Sequence, residues 1–211
     1  MFGICPNCGK YSEDKEVIPD GSFLICPFCN YRQKFLRMPL LVITGASGTG
    51  KSSAYKELLY SDKKPNAIML EGDLLWRKGF ADAEGGIPEY RNVWLLVCSH
   101  ISQNKLPVAL FLSISPGEFE KCPNRKYFSE IHYLALVCRN EELKDRLYKR
   151  ELWRFPEERD KQIQVHLDWN QSFLKDFYKK QYSVDVLDNS DITVQDTILK
   201  ITGWINSKIK C

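Results

Sequence analysis

The chain has 211 residues, of which 44% are hydrophobic and 27% are charged, and its formal net charge is +3. This length suits one well-buried domain with a small appendage, and the composition is ordinary for a globular protein. The low net charge does not favour nucleic acid or a membrane as a general partner, and neither a membrane-spanning run nor a signal peptide is recognisable, so we expect a cytoplasmic protein.

Two C-x2-C pairs near the N-terminus predict a metal site. Cys5 and Cys8 form the first pair, Cys26 and Cys29 the second, and seventeen residues separate them. In a reducing compartment this spacing favours zinc over disulfides. Two residues between cysteines let both sulfur atoms of one tight turn face the same ion, and two such turns complete a tetrahedron. Disulfides and buried free thiols are the alternatives.

The segment between the pairs predicts a β-hairpin that turns at Asp20-Gly21, and residues 31–35 can add a third strand. With its knuckles CPNCGK and CPFCNY, the segment 1–38 resembles a zinc ribbon. Asn30 replaces the common glycine and tolerates the same left-handed backbone. Pro39 follows almost without a linker, so the ribbon should pack against the main domain.

The sequence of the ribbon leaves two roles to weigh, a structural or docking module and a nucleic-acid binder. It carries five basic and four acidic side chains, so its charge is nearly neutral. This balance favours a structural or docking module over a nucleic-acid binder. Aromatic side chains that could instead stack on bases are Tyr11, Phe28 and Tyr31.

Residues 40–59 carry the most specific motif of the chain. Leu40–Thr44 has the apolar character of a strand buried on both faces, Gly45–Ser52 matches G-x-x-x-x-G-K-[ST], and a helix from Ser53 to Leu59 should follow. Glycines in such a loop let backbone N–H groups converge on phosphate oxygens. Lys51 would reach the β- and γ-phosphates, and Ser52 would bind Mg²⁺. The predicted nucleotide-binding residues are Gly45, Ala46, Ser47, Gly48, Thr49, Gly50, Lys51, Ser52 and Ser53.

The remaining chain alternates between short apolar runs and helical patterns, which predicts a three-layer α/β P-loop NTPase fold with a five-stranded parallel sheet. We place this domain at 39–211. The later strands should begin near Ala67, Val108, His132 and Val184. A helix over 88–103 would bury Val93, Leu96, Val97, His100 and Ile101, with His100 as a core residue, and Thr193 with Asp196 predicts a capping box for the last helix.

The positions of the acidic residues separate the classes of P-loop protein. The strand at 108–112 ends without the acid typical of motors, GTPases and large ATPases, whereas Glu71 and Asp73 follow the second strand. From Leu40 onward this order resembles the small P-loop kinases, namely the nucleoside monophosphate, shikimate and gluconate kinase group and antibiotic phosphotransferases of similar build. The resemblance implies ATP and Mg²⁺ as cofactors. It also implies that Asp73 contacts the phosphate acceptor or its magnesium, with Glu71 as a helper. Either acid could lie near the Mg²⁺ held by Ser52, directly or through water.

The same resemblance implies a basic lid after the fourth strand. Arg146, Arg150 and Arg154 recur every four residues in a helix predicted from Glu141 to about Arg154. Arg150 and Arg154 are the predicted catalytic pair that would clamp the phosphoryl group. The alternative is a solvated helix face paired with Glu142 and Glu151. The loop Asp188–Ser190 corresponds to the base-binding region. Arg77, Lys78 and Arg91 are candidate acceptor contacts, and the alternative for each is an incidental charge on the surface.

The sequence thus favours an ATP–Mg²⁺-dependent phosphotransferase with a small hydroxyl- or phosphate-bearing acceptor. The loop after the third strand lacks the Asp-Gly-Phe-Pro-Arg pattern of adenylate kinases, which leaves the acceptor open. One alternative is a nucleic-acid-associated NTPase or end-processing kinase whose ribbon binds the strand. Another is a nucleotide-binding protein whose ribbon docks a protein partner.

Overall fold

The computed structural model describes residues 2–18, 20–75, 85–149, 156–175, 178 and 181–209. Within these segments no helix has both the length and the apolar character needed to cross a bilayer.

The N-terminal region is a small antiparallel sheet, as predicted. In the described residues its strands are β1 (Glu16–Val17), β2 (Phe23–Ile25) and β3 (Arg32–Lys34), with β2 in the middle. Each cysteine pair is followed by a residue with positive φ: Gly9 at 69° after Cys8, and Asn30 at 58° after Cys29. Asn30 therefore adopts the left-handed backbone that its place in the second knuckle requires.

The main sheet confirms the predicted α/β class. Its strands in the described chain are β4 (Leu40–Thr44), β5 (Ile68–Glu71), β6 (Val108–Phe111), β7 (Ile131–Val137) and β8 (Val184–Asp188). They are all parallel and lie in the order β5-β6-β4-β7-β8. Leu40 and Val42 of the central strand belong to one hydrophobic core, and Leu41 and Ile43 belong to another on the opposite face.

Helices cover both faces of this sheet and form the outer two layers. The first and last helices pack on one face through Leu58 and Ile201, and the second helix packs on the other through Trp94 and Cys98. The capping box of the last helix is present, with Thr193 and Asp196 bonded reciprocally. The helices are α1 (Lys51–Tyr60), α2 (Gly86–Ser102), α3 (Pro116–Glu120), α4 (Asn140–Tyr148), α5 (Arg159–Leu174) and α6 (Val194–Lys208).

Two details differ from the sequence-based expectation. The helix expected to reach Arg154 ends at Tyr148 with Lys149 as its C-cap. The buried stripe of α2 is centred on Tyr90, Trp94, Leu95 and Cys98, whereas the five expected residues are half-buried. The stripe is rotated because the turn Pro123–Tyr127 packs against this helix together with the sheet.

The ribbon packs directly on the main domain, as the missing linker predicted. Phe2, Leu24 and Phe35 share a hydrophobic core with residues of α2 and of the turn at Pro123–Tyr127. The ring of Phe2 stacks on His100 with a centroid distance of 4.0 Å. Gln103 also exchanges two hydrogen bonds of 2.9 and 3.0 Å with the backbone of Leu36. His100 is therefore an interface residue, and burial lowers its pKa.

Candidate functional site

The predicted phosphate loop lies at the carboxyl end of β4, in the centre of the sheet. Gly45, Gly48 and Gly50 have φ values of 131°, 87° and 95°, which L side chains rarely adopt. A Cβ atom on Gly45 would lie 2.2 Å from the carbonyl oxygen of Leu136 on β7. These glycines are therefore needed for a cradle in which backbone N–H groups can surround an anion.

Lys51 holds its ammonium group against this loop. Nζ donates hydrogen bonds of 2.7 Å to the Gly45 carbonyl and 2.9 Å to the Ala46 carbonyl. Buried Thr49 braces the same turn by donating from Oγ1 to Ala46, at 2.9 Å. The first turn of α1 contains no acidic residue and no described side chain caps it, so no carboxylate of that turn competes for its N–H groups.

The remaining predicted loop residues divide by exposure. Ser52 and Ser53 are exposed on the first turn of α1, Ser47 is half-buried, and Ala46 is buried against α4 and α5. An exposed Ser52 hydroxyl at this position has the chemistry and the access that a magnesium ligand needs.

The two predicted acids lie at the carboxyl end of β5, at the same edge of the sheet, with β6 between β5 and the loop strand. Glu71 is the half-buried last residue of β5, and Asp73 is exposed in the 3₁₀ turn Gly72–Leu75. Tyr90 of α2 donates a 2.8 Å hydrogen bond to the Gly72 carbonyl and so anchors this turn. Asp73 therefore sits on an anchored turn directly after Glu71, although β6 separates their strand from the loop.

The electrostatic surroundings of the two acids differ. Burial raises the pKa of Tyr55 on α1, and the Glu71 charge raises it further. Burial likewise raises the pKa of Tyr90 on α2, with a smaller contribution from Asp73. The Glu71 charge is therefore felt at Tyr55 of α1, the helix that follows the phosphate loop. The Asp73 charge is felt at Tyr90 of α2, the helix that follows the predicted acceptor segment.

The predicted lid is described only at its beginning. Arg146 lies beside the phosphate loop, with Nη1 3.4 Å from the Gly48 carbonyl, and it also pairs with Glu142 at 3.3 Å. Arg150 and Arg154 lie outside the described residues, as do Arg77 and Lys78. Arg91 forms an ion pair with Glu118 that joins α2 to α3.

The loop after β8 is tied to the phosphate loop by contacts that sequence reasoning did not identify. Asn189 donates from Nδ2 to the Thr49 carbonyl at 2.8 Å, and its buried Oδ1 has no hydrogen-bond partner among the described residues. Arg139 donates from Nη1 to both carboxylate oxygens of Asp191, at 2.8 and 2.9 Å, and this pairing raises the pKa of Arg139. The only signal in the sequence was position, directly after strands β7 and β8.

The four cysteines of the ribbon converge as the spacing predicted. Their sulfur atoms all lie within 4.8 Å of one another, with Cys5 to Cys29 at 3.6 Å and Cys8 to Cys26 at 3.8 Å. These separations exceed a disulfide bond of about 2.05 Å. They match the S···S distance of about 3.8 Å in a tetrahedron with Zn–S bonds of about 2.3 Å.

The surroundings of the cluster also suit a metal. Asn7 donates from Nδ2 to the Cys29 sulfur at 3.6 Å and lowers the pKa of that thiol to about 6, which favours the thiolate. Despite a backbone hydrogen bond from Lys10, burial and the three neighbouring sulfur atoms raise the pKa of Cys8 to about 11, so the cluster without metal does not hold four thiolates. The scattered cysteines Cys98, Cys122 and Cys138 are buried apart from the cluster. The cluster thus fits a four-thiolate zinc site.

Comparison with protein-family models and with curated proteins gives no match for this sequence. Solved structures are similar in fold. A sugar kinase from Janibacter sp. HTCC2649 aligns with a TM-score of 0.58 at 17% identity, over 82% of this chain and 99% of that one. A gluconokinase from Sinorhizobium meliloti 1021 aligns with a TM-score of 0.53 at 17% identity, over 81% and 93% of the two chains.

The shikimate kinase from Acinetobacter baumannii, solved in complex with shikimate, has a TM-score of 0.51 at 20% identity over 82% of this chain and 96% of that chain. At such identities the likeness is one of fold. The chain therefore has the fold of the small P-loop kinases that the order of its motifs resembles.

Proposed function

We propose that this protein is an ATP–Mg²⁺-dependent phosphotransferase that acts on a small hydroxyl- or phosphate-bearing acceptor. One observation carries the proposal: a complete glycine cradle with Lys51 against it shares the carboxyl edge of the sheet with Glu71 and Asp73. In parallel α/β sheets this edge is where ligands bind. Fold neighbours that act on small molecules support the choice, since they include a gluconokinase and a shikimate kinase.

Each residue of the loop has a defined task in this proposal. The backbone of Gly45–Gly50 and the ammonium of Lys51 would hold the β- and γ-phosphates, while Ser52 with Glu71 or Asp73 would hold Mg²⁺. When bound, Mg²⁺ would neutralise part of the negative charge on the phosphoryl oxygens. Lys51 balances the charge of the leaving phosphates. Asp73 orients the acceptor and, where the acceptor is a hydroxyl, takes its proton.

The surroundings of the loop complete the proposed site. Arg146 borders the cradle through Gly48, and Arg150 and Arg154 stay the proposed clamp on the transferred phosphoryl group. Exclusion of water by such a lid would suppress hydrolysis of ATP. The Asn189 loop is the proposed boundary of the base pocket, because it is bonded directly to the phosphate loop.

We also propose a division into a zinc ribbon at 1–38 and a kinase domain at 39–211. Cys5, Cys8, Cys26 and Cys29 would hold one structural Zn²⁺, as their sulfur separations support. A reducing compartment such as the cytoplasm belongs to this proposal, because the four thiols must stay reduced to bind metal.

The test is acceptor-dependent release of ADP across a panel of sugars, nucleosides and antibiotics with Mg²⁺ present. Lys51→Ala should lower kcat/KM by about a hundredfold or more, since it removes a charge that stabilises the transition state. Asp73→Asn should lower kcat by a similar factor when the acceptor is a hydroxyl. Asp62→Asn and Lys63→Ala change exposed side chains after α1 and should keep wild-type rates.

The outcomes separate the roles from one another. If Asp73→Asn still phosphorylated the acceptor at the full rate, the Asp73 carboxylate would not be the group that orients the acceptor and takes its proton. ADP release that no acceptor changes would overturn the phosphotransferase and favour a nucleotide-binding protein with incidental turnover.

A further inference from the structure

The ribbon exposes large apolar side chains on the side that the main domain does not cover. The exposed fractions are 46% for Ile4, 54% for Tyr11, 54% for Phe28 and 42% for Tyr31. The side facing the main domain is formed by other residues, among them Phe2, Leu24 and Phe35. Because the ribbon can bury its apolar residues against the main domain, exposure of these four indicates a binding surface.

These side chains lie together around the two cysteine knuckles. Ile4 and Tyr11 are paired across an antiparallel bridge, and the Lys10 ammonium lies 4.9 Å from the centroid of the Phe28 ring. The knuckles themselves meet at the four sulfur atoms. We call this the knuckle surface and define it by Ile4, Lys10, Tyr11, Phe28 and Tyr31, together with Arg32 and Lys34, which continue it along β3 opposite Ile25 and Phe23.

The near-neutral charge of the ribbon conceals a separation of its charges. Residues 4–11 and 27–34 contain three cations and no acidic residue, and all four acids lie at Glu13, Asp14, Glu16 and Asp20. β1, in the acidic segment, and β3, in the basic one, are opposite edges of the small sheet. Asp14 is also paired with Lys126 of the main domain. Hydrogen bonds from Ser22 lower the pKa of Asp20, and the charge of Arg32 lowers it further, so Asp20 offsets part of that charge. The knuckle surface keeps a net positive charge through Lys10 and Lys34.

One acid touches the border of this surface. The hydroxyl of Tyr11 donates to Glu13 at 2.7 Å, which restricts the rotation of the exposed ring. A restricted ring loses less conformational entropy when a ligand stacks on it, so this contact favours binding through the ring face.

We propose that the knuckle surface binds single-stranded nucleic acid, RNA or DNA. The rings of Tyr11, Phe28 and Tyr31 would stack on bases, and Lys10, Arg32 and Lys34 would pair with phosphates. Three of the four exposed apolar side chains are aromatic, and flat rings flanked by cations suit bases joined by phosphates better than they suit the aliphatic side chains of a protein partner. This function goes beyond phosphoryl transfer and uses none of the phosphate loop.

The test is fluorescence anisotropy of labelled U12 and dT12 with the full-length, zinc-containing chain, without ATP, between 50 and 200 mM salt. Three phosphate contacts on a single strand predict a slope of log K against log salt of about −2. Phe28→Ala and Tyr11→Ala should each weaken binding about tenfold through lost stacking. The double variant Lys10→Gln/Arg32→Gln should make the slope shallower by about 1.4. Binding of U12 alone, dT12 alone or both identifies the strand chemistry, and each supports the proposal.

Matched controls lie on the main domain. Tyr60→Ala removes a tyrosine that is 88% exposed on α1, and Lys200→Gln removes an exposed charge on α6; neither should alter affinity. Zinc content and Tm verify that the variants fold. The charge variant leaves the aromatic rings in place, so it decides the proposal even if Phe28→Ala fails to fold.

Two results would overturn the proposal: no binding of either oligonucleotide at 50 mM salt, or equal affinity of the wild type and the knuckle variants. The first would favour a protein partner for this surface. Lys51→Ala should bind oligonucleotides like the wild type, so failure here is distinct from failure of the proposed phosphotransferase.

Discussion

At the scale of single residues, Gly45 shows how strongly one position can be constrained. Its φ of 131° lies outside the range of ordinary side chains, and a Cβ there would lie 2.2 Å from the Leu136 carbonyl. The positive φ and the contact with β7 are two separate reasons why a residue with a side chain does not fit at position 45. Gly203 in the middle of α6 has nothing within 4 Å of its would-be Cβ, so neither constraint applies to it.

We therefore expect opposite effects from the same substitution at these two glycines. Gly45→Ala should lower the free energy of unfolding by about 1–3 kcal/mol and abolish binding of a fluorescent ATP analogue, because the cradle must open. Gly203→Ala should raise that free energy by about 0.5–1 kcal/mol and leave binding unchanged. Urea unfolding and nucleotide titration measure both effects. Wild-type nucleotide affinity in Gly45→Ala would show that the cradle is not the nucleotide site.

At the scale of elements, the ribbon shows how three very short strands can form a stable unit. Its strands contribute only two or three residues each, and the chain between its cysteine pairs closes on the four sulfur atoms. A core of this size rarely holds itself together without a metal. The buried Lys15 adds a polar link, with its ammonium donating to Gln33 at 2.9 Å and to the Phe2 carbonyl.

Loss of one sulfur should therefore remove the metal and loosen the ribbon. We expect Cys26→Ser to reduce bound zinc from one ion per chain to none and to increase hydrogen exchange in β2 and β3. Cys122→Ser changes a buried thiol outside the cluster and should keep full zinc content. Metal analysis and hydrogen exchange measure the two effects. Unchanged zinc in Cys26→Ser would contradict the four-thiolate site.

At the scale of the whole molecule, α2 connects the ribbon to the candidate site. Its last turns contact the ribbon through His100 and Gln103, and near its start Tyr90 is bonded to the turn that carries Asp73. Burial lowers the pKa of His100, so the folded protein favours the neutral ring. The contact is therefore stronger when His100 is uncharged.

This shift makes the stability of the docked ribbon depend on pH. A histidine with a lowered pKa contributes stability above its unfolded value of about 6.5, and this contribution is lost as the pH falls through the folded value. Wild-type protein should therefore lose more unfolding free energy between pH 7.5 and 5.5 than His100→Phe, which keeps a ring to stack on Phe2. Both proteins share the cysteines and the remaining histidines, so the difference isolates His100. Parallel pH curves from urea unfolding would contradict this prediction.

The features that sequence patterns predicted correctly depend on neighbouring residues. The glycine-rich turn between β4 and α1, the knuckle turn at Asn30, the capping box of α6 and the alternation of strands and helices each require a short run of particular residues. Such patterns are readable because backbone conformation and hydrogen bonding act over a few positions.

Contacts between distant segments could not be predicted in this way. Arg146 beside Gly48, Asn189 on the Thr49 carbonyl and the rotated stripe of α2 depend on which surfaces the fold brings together. The charge of the ribbon is a further case, because the acids and the three cations occupy different segments of the chain and only the fold places those segments, through β1 and β3, at opposite edges of one sheet. The sequence by itself determined the chemical groups and the local turns, and the tertiary structure decided which of them share a surface, because packing joins residues that lie far apart along the chain.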